Sequence, residues 1–255
     1  MGFGPEGNNT QPETDPSNSY IARVPSGISG LDNLLEGGIP KSTATLVSGT
    51  PGSGKSTFGL QFLANGALKY GERGIYITLE EDVDSLILQA KRYGFDLQKL
   101  IDEGMLLMLK LDVDYTQGEE ALLKLIDNAF LNEIKSFGAQ RMCLDSISLV
   151  LHLSHSKLGD RGATAELIKH MKQLKLTTLL LHEREEGQMS DIKYSFHDFV
   201  CDGTIYLQMV RRKDVAEFFR ALTILKMRKT NHQKGVYPVH LEPTGFKVYS
   251  NQKIF

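Results

Sequence analysis

A glycine-rich octapeptide limits the possible folds of this chain more than any other feature of its sequence. It consists of Gly49, Thr50, Pro51, Gly52, Ser53, Gly54, Lys55 and Ser56. It matches the phosphate-binding loop pattern in full, with an apolar segment before it and a helical pattern after it. The alternative is a Gly/Ser turn that happens to contain Lys-Ser, and the complete pattern with both flanks argues against it. The octapeptide therefore predicts a strand, a phosphate-binding loop and a helix in succession.

Apolar segments and helical patterns alternate along the chain. The predicted strands cover residues 44–48, 74–79, 105–109, 141–144, 177–182 and 204–209. Apolar residues at helical spacing, with glycines where several of the patterns end, predict helices over residues 55–70, 82–93, 119–137 and 162–174. After residue 210 the pattern changes to strands, one over residues 218–227 and two more marked by Gly235 and Gly245. This order predicts an α/β fold with a mainly parallel sheet, helices on both faces and antiparallel strands at the C-terminal end.

The composition is that of an ordinary globular protein. The 255 residues include 41% hydrophobic residues and carry a formal net charge of -2, which argues against a chain that coats nucleic acid by bulk charge. The longest apolar stretches, such as residues 176–181, are far shorter than the roughly 18 residues that a membrane-spanning helix requires. Residues 1–19 are polar and contain no apolar core, so we expect a flexible tail without a secretion signal, and hence a cytoplasmic protein. The length of the chain favours one domain, over residues 20–255. Cys143 and Cys201 lie in apolar segments without metal-ligand spacing, and we expect buried thiols.

The octapeptide and a downstream aspartate supply the groups that ATP with Mg²⁺ requires. Backbone N–H groups of the octapeptide and of Thr57, together with the helix N-terminus, would surround the phosphates, and Lys55 would reach the terminal ones. Ser56 would bind Mg²⁺ through its hydroxyl, with Asp145 on the far side of the metal at the carboxyl end of a predicted strand. An aspartate after apolar residues is also common at a turn or helix cap, but the upstream loop favours the metal role.

Glu80 and Glu81 follow a predicted strand. A carboxylate beside the γ-phosphate can orient the attacking water and accept its proton. Neighbouring residues of an extended chain point to opposite faces, so one of the two lines the site unless the strand has already ended. Glu80 is our first choice. With Asp82, the pair could instead be an acidic helix start that complements the helix dipole.

Three further segments, together with the loop, resemble the KaiC branch of the RecA superfamily. They are VPSGISGLD at residues 24–32 with GGIP at 37–40, YITLEE at 76–81, and ILKMRKTNH at 224–232 with YP at 237–238. The resemblance covers nearly everything after Arg23. It implies a RecA-like ATPase core that forms a ring, a hexamer in the family, with nucleotide at the subunit interfaces. It also favours catalysis by Glu80 and Glu81, because the family carries paired glutamates here. Only one phosphate loop occurs in this chain, so a circadian role is not implied.

Lys226 and Arg228 share one face of an extended segment, about 6.6 Å apart. By themselves they could form an ordinary solvated strand face. The resemblance implies that both cations approach the γ-phosphate bound by the adjacent subunit. The other residues that it places at the nucleotide are Met227, Thr230, His232 and Arg92. The chain departs from the family at Lys229, where glycine is frequent.

Three polar segments are assigned no site. His152 and His155 lack the further ligands that a metal ion requires. Ser154, Ser156 and Lys157 resemble a region that is phosphorylated or faces the ring channel in some relatives, but nothing in the sequence fixes a phosphorylation site. The basic residues Arg211, Arg212 and Lys213 are expected at a solvated hairpin tip, and nucleic-acid contact is the less favoured interpretation.

Three functions are compatible with these features. We favour an Mg²⁺-dependent ATPase ring in which hydrolysis changes the ring conformation or regulates a protein partner that the sequence does not identify. The second is a switch module that binds ATP without appreciable turnover, as in relatives associated with the archaellum motor, and Glu80 argues against it. The third is a recombinase-like DNA-binding filament, which the lack of strong positive charge and of an additional DNA-binding domain does not favour.

Overall fold

A computed structural model of the chain describes residues 21–111, 127–148, 159–184, 194–211 and 217–254. Several sequence-based expectations concern residues outside these ranges. They are the tail, the first part of the helix over residues 119–137, the segment with His152, Ser154, His155, Ser156 and Lys157, and the basic residues Arg212 and Lys213.

The described residues contain one large and one small sheet. The small sheet pairs β1 (Arg23–Val24) with β2 (Ile39–Pro40). The other strands are β3 (Ala44–Gly49), β4 (Gly74–Thr78), β5 (Leu106–Lys110), β6 (Arg141–Asp145), β7 (Thr177–Glu183), β8 (Gly203–Arg211), β9 (Phe218–Met227), β10 (Val236–Glu242) and β11 (Gly245–Val248). They form one sheet in the order β11-β10-β9-β8-β3-β7-β6-β4-β5. The six strands from β8 to β5 are parallel, and β9, β10 and β11 run antiparallel to their neighbours. This arrangement confirms the predicted fold class.

Helices cover both faces of the sheet. They are α1 (Lys55–Tyr70), α2 (Val83–Lys91), α3 (Leu97–Asp102), α4 (Asn128–Phe137), α5 (Gly159–Gln173) and α6 (Phe196–Val200). Successive residues of a strand face opposite sides, and two hydrophobic cores result. Val47 of β3 packs in one core with residues of α1, α2 and α3, whereas Leu46 packs in the other with residues of α4 and α5. The central strands are therefore buried on both faces, as their apolar sequences require.

Glycines mark the C-terminal ends of two of the helices. Gly71 and Gly138 follow α1 and α4 with φ of 64° and 73°, a left-handed conformation that glycine adopts without steric cost. Helices α3 and α6 were not predicted, because six and five residues are too short for a periodic apolar pattern. None of the helices in the described ranges is long and apolar enough to cross a membrane. Cys143 and Cys201 are buried thiols.

A buried ion pair lies beneath α1. Arg141, at the start of β6, is fully buried, and its Nε donates to Glu72 Oε2 over 2.6 Å. Its guanidinium also donates to the Phe62 carbonyl and lies 4.6 Å from the centroid of the Phe62 ring. A Cβ at Gly66 would approach Arg141 Cδ to 2.5 Å, so α1 requires glycine there for the arginine to fit.

Candidate active site at the phosphate loop

The phosphate loop lies between β3 and the N-terminus of α1. Gly52 and Gly54 have φ of 76° and 100°, so two backbone turns depend on glycine. Gly54 is also the residue that precedes α1, and the unpaired N–H groups of the first helical turn lie at the loop. A cavity of about 410 Å³ opens here, lined in part by Pro51, Gly52, Gly54, Lys55 and Ser56. The local geometry is that of an anion-binding site.

Backbone carbonyl groups of the loop hold the side chain of Lys55. The side chain is only 8% exposed, and Nζ donates to the carbonyl oxygens of Gly49 at 3.0 Å and Thr50 at 3.1 Å. The Glu183 carboxylate lies 3.9 Å from the same nitrogen. Burial lowers the pKa of Lys55, and the carboxylates of Glu183, Asp145 and Glu80 partly oppose this shift. The ammonium group therefore has a fixed position at the cavity.

Ser56 and Asp145 meet at a buried tyrosine. The parallel register pairs Thr78 of β4 with Asp145 of β6, and both residues line the cavity. Tyr76 donates its phenolic proton to Asp145 Oδ2 at 2.5 Å, and the same phenol interacts with the Ser56 hydroxyl. Burial and the charge of Asp145 raise the pKa of Tyr76 well above its ordinary value. A hydroxyl and a carboxylate beside one phenol form an all-oxygen donor set, which suits Mg²⁺.

Glu80 and Glu81 both line the cavity. β4 ends at Thr78, so the alternation of an extended strand does not apply to the two residues. Ser146 Oγ donates to Glu80 Oε1 at 3.1 Å, whereas the Glu81 carbonyl accepts a bond of 2.9 Å from Thr78. Burial and the nearby charges of Asp145 and Glu80 raise the pKa of Glu81. The acidic residue that adjoins α2 is Asp82, which pairs with Lys110.

Several residues at the cavity carried no assignment from the sequence. They are Thr78, Gln89, Tyr93, Ser146, Glu183, Arg220 and Leu241. Arg220 of β9 donates to the Gly52 carbonyl from Nε at 3.3 Å and from Nη2 at 3.2 Å, which adds a second cation at the rim of the loop. Thr57 also lines the cavity and accepts from Gln89 Nε2 at 3.2 Å. Arg92 is exposed outside the lining, and its neighbour Tyr93 takes that place.

The C-terminal cations lie elsewhere. Lys226 Nζ donates to the carbonyl oxygens of Asp198, Phe199 and Cys201 at 2.8, 3.2 and 2.7 Å. Arg228 donates to the Phe199 carbonyl at 3.0 Å and to Asp202 Oδ1 at 3.3 Å. Neither cation lines the cavity at the phosphate loop.

Strand direction explains this separation. β9 runs antiparallel to β8, which is parallel to β3. Arg220, near the start of β9, therefore lies at the loop end of the sheet, whereas Lys226 and Arg228 lie toward the opposite end. The strand register shows the same separation. Leu222 lies across β8 from Gly49, where the loop begins, whereas Met227 lies across β8 from Thr45, near the start of β3.

The other residues of the C-terminal segment 226–232 also lie away from the loop. Thr230 accepts from Arg23 Nη1 at 2.9 Å, and His232 is half-buried beside Gln233, whose carbonyl oxygen lies 3.2 Å from His232 Nδ1. The Met227 side chain is buried in the core, so the side chain is not available to a nucleotide. One chain thus gathers Lys55, Ser56, Asp145 and the two glutamates at one cavity. The segment of residues 226–232 lies apart from this cavity.

The chain is similar to known proteins over most of its length. The family profile described as "ATPase: KaiC" matches residues 24–253. The circadian clock oscillator protein KaiC of Synechococcus elongatus is 34% identical over 248 residues, which cover 94% of this chain and 46% of the relative. The KaiC of Prochlorococcus marinus is 34% identical over 234 residues, 90% of this chain and 45% of the relative. The chain thus spans somewhat less than half the length of these curated relatives.

A solved structure is also similar over most of the chain. The KaiC-like protein of the hyperthermophilic archaeon Pyrococcus horikoshii OT3 superposes with a TM-score of 0.78 at 30% sequence identity. The similarity covers 90% of this chain and 100% of that protein.

Proposed function

The chain belongs to the KaiC family of P-loop ATPases, and from this premise and the site geometry we propose that it hydrolyses ATP as a ring of identical subunits. The observation that carries the proposal is that the residues at the phosphate loop and the two C-terminal cations lie apart within one subunit. The loop, two candidate metal ligands and two carboxylates meet at one cavity, while Lys226 and Arg228 lie toward the other end of the sheet.

Each group at the cavity has a distinct role in this proposal. Lys55 compensates the charge of the terminal phosphates, and the loop N–H groups bind their oxygens. Ser56 and Asp145 would hold the Mg²⁺ that accompanies ATP, and such an ion would supply positive charge beside the phosphate oxygens. Glu80, oriented by Ser146 Oγ, positions the attacking water and accepts its proton.

A neighbouring subunit completes the site. Lys226 and Arg228 approach the γ-phosphate bound by the next chain, with Thr230 and His232 near the sugar or base. An interface in which one chain supplies the loop and the next supplies the cations is head-to-tail, and closure gives a cyclic oligomer. A hexamer is the form expected from the family. Hydrolysis at these interfaces would change the ring conformation or regulate a protein partner.

Subunit mixing tests the proposal. Rings of Arg228→Ala and rings of Lys55→Ala should each lose phosphate release, because arginine fingers contribute about 10³–10⁵ in rate and the loop lysine is needed for binding. In rings mixed at equal ratio, about a quarter of the interfaces combine an intact loop with intact cations. A corresponding part of the activity should return, and mass measurement with and without ATP establishes that rings form and contain both variants.

Two controls complete the experiment. The exposed Lys69 lies in the last turn of α1, and Lys69→Ala should hydrolyse ATP at the original rate. Mixed rings that contain both inactive variants and yet release no phosphate would refute the assignment of the cations to the neighbouring site. ATP binding without phosphate release by the unmodified ring would favour the switch module instead.

A further inference from the structure

The two C-terminal cations are both held by the end of one short helix. α6 spans Phe196–Val200, and the Asp198, Phe199 and Cys201 carbonyl oxygens accept from Lys226 Nζ. The Phe199 carbonyl also accepts from Arg228. Carbonyl groups at a helix C-terminus carry partial negative charge and attract cations. The position of α6 therefore determines where Lys226 and Arg228 are presented.

α6 is in turn fixed by a buried carboxylate. Asp198 is 2% exposed, and its Oδ2 accepts from Ser195 N at 2.6 Å and from Ser195 Oγ at 2.9 Å. The same oxygen accepts from Arg184 Nη2 at 2.7 Å, and the Arg184 side chain is only 12% exposed. A buried charge pair of this kind is strongly sensitive to removal of one partner, because the other charge then remains uncompensated.

Arg184 is attached to the phosphate loop by its backbone. Its N–H donates to the Gly49 carbonyl at 3.0 Å, and the same carbonyl accepts from Lys55 Nζ at 3.0 Å. The preceding residue, Glu183, places its carboxylate 3.9 Å from Lys55 Nζ. Arg184 thus touches the loop through its main chain and α6 through its side chain.

We propose that Arg184 is a positioning residue that links the phosphate loop of its own subunit to Lys226 and Arg228, the cations presented to the next subunit. A displacement of the loop backbone at Gly49 would move Arg184, and the pair with Asp198 would pass the displacement to α6. Nucleotide binding at one site would thereby determine the position of Lys226 and Arg228 at the next site. This inference rests on the proposed function of the two cations in trans.

The test uses mixed rings, because a residue needed only for folding would fail with every partner. Arg184→Met keeps an apolar stem of similar length and removes the guanidinium. Uniform rings of this variant should lose phosphate release by about 10²-fold, the effect of a misplaced catalytic group. Equal mixtures with Lys55→Ala, which supplies intact cations, should recover as far as mixtures of Arg228→Ala with Lys55→Ala. Mixtures with Arg228→Ala, which supplies none, should stay inactive.

The opposite pattern would overturn the inference. Recovery with Arg228→Ala but not with Lys55→Ala would mean that Arg184 serves its own loop, and recovery with neither would mean a purely structural role. Asp198→Asn keeps the shape and the Ser195 contacts but removes the charge, and it should give the same pattern even if Arg184→Met does not assemble. The exposed Arg73 provides the control Arg73→Met, which should leave activity unchanged.

The reference mixture separates the two proposals. If Arg228→Ala with Lys55→Ala shows no recovery, the role of the cations in trans fails and the role of Arg184 fails with it. If the reference mixture recovers and the Arg184 mixtures do not follow the expected pattern, the proposed function survives and only the link through Arg184 is refuted.

Discussion

Replacement of Lys55 by alanine tests the phosphate loop quantitatively. At about 4 Å and an effective dielectric constant of about 20, the attraction between an ammonium group and one phosphate charge is about 4 kcal/mol. Part of this is offset, because without ligand the same ammonium already binds two carbonyl oxygens and lies 3.9 Å from Glu183. Glu183 is 53% exposed, so water screens its attraction and the offset is incomplete. We expect a net loss of about 2–3 kcal/mol, which is a Kd about 30-fold to 140-fold weaker.

Calorimetric titration with ATP and Mg²⁺ measures this loss directly. The Lys69→Ala variant changes an exposed lysine in the last turn of the same helix and should bind with the original affinity. Unaltered ATP affinity in Lys55→Ala would refute the assignment of the loop. A loss equal to that of Lys69→Ala would show only a nonspecific effect of removing one positive charge.

Three further variants test other parts of the molecule. Glu80→Gln should bind ATP but release phosphate at least about 10²-fold more slowly, because an amide cannot accept the proton of water; full activity in this variant together with loss in Glu81→Gln would move the base to Glu81. Glu72→Gln leaves the charge of the buried Arg141 uncompensated and should lower the free energy of unfolding in urea by about 3–5 kcal/mol, whereas a change under about 1 kcal/mol would contradict this explanation. Burial and the nearby positive charges of His197, Arg184 and Lys55 lower the pKa of His182 to about 4. Because the folded protein holds His182 neutral, this group stabilises the fold by on the order of 3 kcal/mol above its unfolded pKa of about 6.5, and the stabilisation is lost as the pH falls toward 4. The free energy of unfolding of His182→Asn in urea should lack this part of the pH dependence.

The strand and helix patterns predicted the parts of the site that depend on local sequence. Lys55 and Ser56 follow β3 within one motif, and Asp145 and Glu80 each lie at or just past the end of an apolar run. Because parallel strands have their carboxyl ends at the same edge of the sheet, these residues were expected along one edge with the loop. Local patterns were therefore sufficient for this part of the cavity.

Two further lining residues, Glu183 and Arg220, depend on the order and register of the sheet. Glu183 reaches Lys55 because β7 pairs with β3, with Glu183 opposite Gly49. Arg220 reaches the loop because β9 starts at the same edge. Both relations join segments distant in the chain, and no periodicity within either segment indicates them. Helices α3 and α6 were not predicted for a different reason, since helices of six and five residues have too few turns for a periodic signal.

The two ends of β9 connect these observations to the proposed ring. Arg220 near its start binds the loop of its own subunit, and Lys226 near its end is bound to α6. Arg220 and Lys226 are six residues apart on β9, which is about 20 Å in an extended strand, so the two cations cannot both contact the γ-phosphate of one nucleotide. If the cations at the end of β9 act on ATP, that ATP is bound by another chain, and each β9 then connects two adjacent sites. The Arg184–Asp198 pair supplies a second connection between the same two places through α6. Because both connections run through a single subunit, a change at one interface has a direct path to the next, and a ring of such subunits is expected to hydrolyse ATP cooperatively.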